Sequence, residues 1–161
     1  MFEIKPDILK QVFQNFADEH FLISESKDWT FSNFFEEAIQ FSNSLNISSK
    51  KHIALCSANS EFLLKAMLAL WIKKAVVVPL NPKLPEKQKK ELLKKTGSTL
   101  LEQTELNSVS SEQNTILSSI QSIDTEAWST IIFTSGSNGT AKAVVHSLAN
   151  HFYSALGANK I

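Results

Sequence analysis

Apolar residues recur along this chain with two different periods, and the alternation of the two predicts an α/β fold. At about residues 7–20 and again at about 32–45 they repeat at helical spacing, which predicts two amphipathic helices. Residues 61–74 are apolar on nearly all sides, as in a helix that other elements cover. The β-branched run at residues 75–80 is typical of a parallel strand buried on both faces.

A short apolar stretch at residues 52–56 completes one crossover unit. The pattern predicts a buried strand there, followed by a polar turn at residues 57–60 that caps the helix over 61–74. Strand, helix and strand then form one right-handed βαβ unit. The preceding helix is predicted to begin with a capping box formed by Asn33 and Glu36.

The second half of the chain continues this order less regularly. A lysine-rich helix is predicted over about residues 86–95, with Leu92 and Leu93 facing inward and most of its charges solvated, and a third parallel strand is predicted over 98–101. Residues 102–126 are rich in Ser, Thr, Gln and Asn and predict a long surface loop with one short helix or strand. The last predicted elements are strands over 129–133 and 142–146 and a helix capped by Ser147. The predicted fold class is therefore α/β, with a mainly parallel sheet flanked by helices.

Composition excludes several classes of function. The 161 residues carry sixteen basic and sixteen acidic side chains, so no global field would recruit nucleic acid, and every basic residue is lysine. Cys56 is the only cysteine, which excludes an internal disulfide, and the four histidines lack metal-ligand spacing, so we predict no protein-formed metal site. Without a signal peptide or an apolar run of spanning length, we expect a cytoplasmic protein with no membrane partner.

The stretch that carries chemistry is the small, glycine-containing run from Thr134 to Lys142, which reads TSGSNGTAK. Two glycines three apart let the backbone turn and approach a ligand, while hydroxyls and N–H groups offer donors to phosphate oxygens. Because Lys142 adds a positive charge, the run indicates a phosphate loop. On the loop alone, an ordinary Ser/Gly turn between two strands stays open as the alternative.

The run does not fit the Walker A pattern, G-x-x-x-x-G-K-[ST]. Ala141 stands where that pattern needs glycine, and Ala143 stands where it needs the hydroxyl that holds magnesium. A P-loop kinase or NTPase is therefore excluded.

The loop instead resembles the signature T-S-G-[ST]-T-G-x-P-K-G of the adenylate-forming superfamily, the AMP-binding enzymes that include acyl-CoA synthetases. The departures are Asn138, Ala141 and Ala143. The run from Lys142 to His146, KAVVH, is similar to the K-A-A-V-H of the 2-succinylbenzoate–CoA ligases of menaquinone synthesis. Three earlier stretches resemble superfamily motifs in the same chain order: WTFS at 29–32, ANSEF at 58–62 and VVVPLNP at 76–82.

The resemblance implies a function for the loop. It would wrap the triphosphate of ATP while a small carboxylic acid is adenylated, and CoA would then take up the acyl group; Mg²⁺ would accompany the nucleotide. The residues that would bind the nucleotide phosphates are Thr134, Ser135, Gly136, Ser137, Asn138, Gly139 and Lys142. No catalytic residue is assigned in this chain, because the adenylation lysine of the superfamily belongs to its C-terminal lid.

The resemblance also implies that residues 1–161 form part of an N-terminal AMP-binding domain, ending just after the phosphate loop. In the superfamily the acid pocket, the adenine and ribose motifs, the hinge and the lid normally follow this point. We therefore expect the chain alone to be inactive. The alternatives are a fragment of another acyl-CoA synthetase, or a non-catalytic binding or scaffolding module that associates with itself through exposed apolar surface.

Overall fold

The structure is a computed structural model that describes residues 8–24, 27–101, 124–135 and 141–158. In chain order its elements are α1 (Ile8–Asn15), β1 (His20–Ile23), β2 (Asp28–Thr30), α2 (Phe31–Ser44), β3 (His52–Leu55), α3 (Ser60–Ile72), β4 (Val76–Pro79), α4 (Glu86–Thr96), β5 (Thr99–Leu101), β6 (Trp128–Thr134), β7 (Lys142–Ser147) and α5 (Leu148–Ala158).

Five of the strands form one sheet in the order β5-β3-β4-β6-β7. The first four run parallel to one another, and β7 runs antiparallel to β6 at the edge. Helix α3 connects β3 to β4, whereas α4 leads from β4 back across β3 to β5. The predicted α/β class, the strand–helix–strand unit and the third parallel strand are all confirmed.

Helices cover both faces of the sheet. Since successive strand residues point to opposite sides, each strand contributes side chains to two buried clusters. Ile53 and Val77 pack in one buried cluster with side chains of α2 and α3. Their neighbours Ala54 and Val78 pack in a second cluster with Leu92 of α4. This two-sided burial is the reason that the strands read as continuous apolar runs.

Helix α3 has the cover on several sides that its sequence predicts. Ala66 and Leu70 pack in the cluster beneath α2 and α3, and Leu68 packs in a separate cluster with aromatic side chains of α1 and α2. The helix begins at the predicted cap: Asn59 Oδ1 accepts a hydrogen bond from the N–H of Phe62 at 3.0 Å. The prediction for this turn is confirmed.

The N-terminal region contains a hairpin that the sequence pattern does not predict. Helix α1 ends at Asn15 instead of near residue 20, and His20 begins β1, which pairs antiparallel with β2. Strand β1 has only four residues, too few for a strand period to be distinguished from a helical one. The hairpin lies beside an aromatic cluster that buries Phe13 and Trp29.

The predicted capping box of α2 is wrong. Thr30, directly before the helix, is its cap: Thr30 Oγ1 accepts a hydrogen bond from the N–H of Asn33 at 3.3 Å. Asn33 is therefore already inside the first turn, and Glu36 instead accepts a hydrogen bond from the hydroxyl of Ser32 at 3.4 Å. The two candidate caps lie three residues apart, and the earlier one is used.

The C-terminal elements agree with the prediction. Ser147 Oγ accepts from the N–H of Asn150 at 3.2 Å, and Asn150 Oδ1 accepts from the N–H of Ser147 at 2.8 Å, which fixes the start of α5. The surface loop predicted over 102–126 falls outside the described residues as far as residue 123. Within the described ranges, no helix is both long enough and apolar enough to span a bilayer.

Candidate nucleotide-phosphate site

Strands β6 and β7 hold the two ends of the predicted phosphate loop. Thr134 is the last residue of β6, Lys142 is the first of β7, and the two are direct partners in the antiparallel register. Thr134, Ser135 and Lys142 are all exposed. The remaining predicted phosphate ligands, Gly136, Ser137, Asn138 and Gly139, lie outside the described residues.

The loop ends stand at the carboxyl edge of the parallel strands. Val77 of β4 pairs with Thr130 of β6, so the carboxyl ends of both strands point to the same edge. Open α/β sheets bind ligands beyond this edge, where the connections leave the strands in different directions. A cleft of about 470 Å³ lies here, between Pro79–Asn81 at the end of β4, the cleft-facing side of α4, and the end of β6.

Alternation along the hairpin assigns its side chains to two faces. Phe133, Ala141 and Val145 pack against the buried cluster under α4. Because neighbouring strand residues point to opposite sides, Thr134 and Lys142 share the other face. That face offers a phosphate one hydroxyl and one ammonium.

The Lys142 ammonium is available to an anion. Within the described part of the chain, no carboxylate forms an ion pair with it. Ion pairs between described residues lie instead around Glu37 and Lys65, on the α2–α3 surface, and in the first turn of α4. An unneutralised lysine at the mouth of a glycine-containing loop is the electrostatic arrangement that a polyphosphate needs.

Lys95 is a contributor to the site that sequence reasoning missed. Its side chain, in the last turn of α4, donates a hydrogen bond to the backbone carbonyl of Ala141, directly before Lys142. Gln88 and Leu92 precede it at spacings of seven and three residues and line the cleft, so Lys95 lies on the same side of the helix. The prediction that most charges of this helix are solvated holds, since Lys95 is itself exposed, but it did not include this contact.

Histidines cluster at the other end of the hairpin. His151 Nε2 lies 3.0 Å from Oγ1 of the buried Thr130, and the His146 and His151 rings stack with centroids 5.4 Å apart. Burial, and secondarily the charge of His146, lower the pKa of His151. No group of three or more potential metal ligands occurs among the residues that the structure describes.

Comparison with known proteins identifies the family. Residues 9–127 match the family model described as AMP-binding enzyme. The chain belongs to the AMP-binding enzyme family. The resemblance to adenylate-forming enzymes is thereby confirmed, on residues that lie before the loop at 134–142. No curated protein matches the chain.

Several solved structures share the fold of this chain. The N-terminal subdomain of NpsA from Klebsiella oxytoca, in complex with 3-hydroxyanthranilyl-AMSN, is 25% identical over 90% of this chain and 41% of that one, with a TM-score of 0.75. O-succinylbenzoate coenzyme A synthetase (MenE) from Bacillus subtilis, in complex with AMP, is 23% identical over 93% of this chain and 44% of that one, with a TM-score of 0.75. The chain spans less than half the length of each.

Proposed function

We propose that this chain supplies the triphosphate-binding part of an ATP-dependent acid–CoA ligase. Membership of the AMP-binding enzyme family supports the use of a nucleotide. The observation that carries the proposal is the register of the hairpin, which sets the Thr134 hydroxyl beside Lys142 at the carboxyl edge of the sheet. The loop between them has the glycines and hydroxyls that a phosphate needs.

The reaction proceeds in two displacements. A carboxylate oxygen attacks the α-phosphorus of ATP, the bond to the β-phosphate oxygen breaks, and pyrophosphate leaves as the acyl-adenylate forms. The sulfur of CoA then attacks the acyl carbon, a thioester forms, and AMP leaves with the electron pair of the acyl–oxygen bond. The first displacement leaves negative charge on pyrophosphate, which is the species that this loop would stabilise.

The residues have separate roles in this proposal. Lys142 neutralises charge on the leaving phosphates, while the hydroxyls of Thr134 and Ser135 donate to phosphate oxygens. The loop residues Gly136, Ser137, Asn138 and Gly139 would complete the donor set. Mg²⁺, arriving with the nucleotide, would neutralise further phosphate charge. We expect the reaction to take place in the cytoplasm.

For the acid we propose 2-succinylbenzoate, which would make the full-length parent a ligase of menaquinone biosynthesis. Support comes from the run from Lys142 to His146, which is similar to that of 2-succinylbenzoate–CoA ligases. The fold shared with MenE is compatible with this choice and with other acyl-CoA synthetases alike. Another aromatic or aliphatic acid is the alternative within the same reaction.

The test is complementation. The chain is mixed with the separately expressed remainder of a 2-succinylbenzoate–CoA ligase, and pyrophosphate release is measured with ATP and 2-succinylbenzoate, beside other acids. Lys142→Ala removes the proposed phosphate ligand, and Lys87→Ala, on the exposed side of α4, is the matched control. Release that needs both pieces and falls at least tenfold only in Lys142→Ala is the expected result.

Other results would overturn specific parts of the proposal. Pyrophosphate release that is unchanged in Lys142→Ala would show that this lysine has no role in the reaction. Pyrophosphate release with a different acid only would show that this acid, and not 2-succinylbenzoate, is the substrate. A failure with every acid, also when the two pieces are fused in one polypeptide, would favour a non-catalytic module.

One observation favours that second candidate. Ile132 and Val144 are direct cross-strand partners, and they leave 37% and 39% of their surface exposed on the same face of the hairpin. Paired apolar side chains at a sheet edge are suited to burial against a second copy of the chain. A scaffolding module would therefore form a concentration-dependent dimer that Val144→Lys abolishes.

A further inference from the structure

Helix α5 is held to the sheet mainly by its first turn. Its buried residues are Leu148 and Ala149, and the N–H of Ala149 donates to the carbonyl of Thr125 at 2.9 Å. Further along the helix the side chains are half-buried or exposed. Segments with few buried apolar contacts open at a lower free energy than the whole domain, so this part of α5 is suited to local detachment.

His151 joins α5 to two other elements. Its Nε2 atom lies 3.0 Å from Oγ1 of Thr130 in β6, and Thr130 is only 1% exposed. The His151 ring also lies beside Trp71 of α3, with centroids 6.0 Å apart. Trp71 is fixed in place because its Nε1–H donates to the carbonyl of Ser129 at 3.0 Å. Helix α5 therefore meets β6 and α3 at one titratable ring.

A second imidazole lies directly against His151. The ring of His146 in β7 stacks on it, with centroids 5.4 Å apart and an angle of 28° between the planes. His146 is also the cross-strand partner of Thr130, so the three residues lie together. Two neutral rings stack favourably, whereas two imidazolium rings at this separation repel each other, and more strongly when half-buried than in water.

Charges on the neighbouring elements do not offset this repulsion. Besides the two histidines, the ionisable residues on or next to the elements that meet at His151 are Tyr153 of α5, Lys142 of β7, Glu61 and Lys65 of α3, Lys73 and Lys74 after α3, and Asp124 and Glu126 beside Thr125. Strand β6 contains none. In the described ranges no carboxylate forms an ion pair with either imidazole. Burial, and secondarily the charge of His146, lower the pKa of His151.

We propose that His146 and His151 form a pH-sensitive latch for α5. While both rings are uncharged, their stack and the contact with Thr130 hold the helix against β6 and α3. When acidification charges both rings, their repulsion and the cost of burying charge detach α5 beyond its first turn. The cap formed by Ser147 and Asn150 and the rest of the core stay folded. The latch does not depend on the proposed ligase chemistry.

Hydrogen exchange of backbone amides in ¹⁵N-labelled chain tests the latch. Protection factors, which correct for the intrinsic effect of pH on exchange, are measured at about pH 7.5 and about pH 5.5, in a series of low urea concentrations. The amides of residues 153–156 report on α5, and those of buried Leu68 and Leu70 in α3 report on global unfolding.

Three variants accompany the wild type. His151→Gln keeps a hydrogen-bonding group beside Thr130 but does not titrate. His146→Gln removes one charge of the repelling pair. His20→Gln, at an exposed position of β1, is the matched control for loss of a histidine.

The latch predicts a local and pH-dependent opening of α5. In the wild type, protection in α5 should lie about tenfold or more below that in α3 and should hardly change with urea, because detachment exposes little surface. From the higher to the lower pH it should fall about fivefold or more, and in His151→Gln less than about twofold. His146→Gln should reduce the fall, and His20→Gln should match the wild type.

Three results would overturn the proposal. The first is α5 protection in the wild type that does not change with pH. The second is equal protection and an equal dependence on urea in α5 and α3, which would show that the helix is released only by global unfolding. The third is a fall in His151→Gln as large as that in the wild type. If His151→Gln already frees the helix at the higher pH, an undiminished fall in His146→Gln would overturn the proposal instead.

Discussion

Removal of the Lys95 ammonium should loosen the C-terminal end of the proposed phosphate loop without unfolding the domain. The side chain joins the last turn of α4 to the carbonyl of Ala141, and through it fixes the backbone from which Lys142 projects. A hydrogen bond contributes about 0.5–1.5 kcal/mol net, and solvent exposure of Lys95 places this one at the lower end, about 0.5–1 kcal/mol. The anchored population should therefore fall about two- to fivefold in Lys95→Gln.

Heteronuclear NOE values of the Ala141 and Lys142 amides in ¹⁵N-labelled chain measure this order directly. Lys95→Gln should lower both values, and Lys95→Arg should keep them close to those of the wild type, because guanidinium also donates. Lys94→Gln removes the same charge from the neighbouring exposed position and should change neither. Equal NOE values in Lys95→Gln and the wild type, or an equal loss in Lys94→Gln, would refute the anchoring role.

Three further predictions concern stability, each read from thermal unfolding. Burial, and secondarily His146, lower the pKa of His151, so the unfolded state binds more protons than the folded state. The free energy of unfolding is therefore full above the ordinary histidine pKa and declines as pH falls below about 6.5. His151→Gln should flatten this decline, and an equal slope in the variant and the wild type would contradict the prediction. Asn59→Ala removes the cap on the Phe62 N–H and should cost about 1 kcal/mol, whereas Asn59→Asp should retain it; similar losses in both would contradict the cap. Leu70→Ala empties a fully buried position and should cost about 2–5 kcal/mol, well above the loss in exposed Leu64→Ala, which is its control.

Elements whose own sequence dictates their environment could be predicted. The β-branched run at residues 76–78 predicts a strand buried on both faces. Helix α3 is apolar on nearly all sides, which predicts that other elements cover it. The ends of the phosphate loop follow from the same logic, because the apolar run that precedes Thr134 is a buried strand with a polar turn after it. Local pattern was sufficient wherever burial was nearly complete.

Features set by tertiary contact could not be predicted. The four residues of β1 pair with β2, which ends at Thr30, directly before α2. By residue type Asn33 is the better cap, so the sequence alone does not show that Thr30 caps the helix. Lys95 is separated from Ala141 by 46 residues, so nothing in its neighbourhood distinguishes it from the other lysines of α4. Lys50 and Lys74, which have positive φ angles, likewise meet only in the fold, where the N–H of Lys50 donates to the carbonyl of Lys74 at 2.7 Å.

The pairing of β4 with β6 has a consequence for the order of folding. Strands β3 and β4 are joined within one short strand–helix–strand segment, whereas the partners Val77 and Thr130 are far apart in the chain. Closing the longer loop costs more chain entropy before any contact compensates for it, so we expect β6 to dock onto a βαβ unit that has already formed. The hairpin that carries the proposed phosphate-binding residues would then be the last part of the sheet to assemble, and a nascent chain would gain this candidate site only after its core.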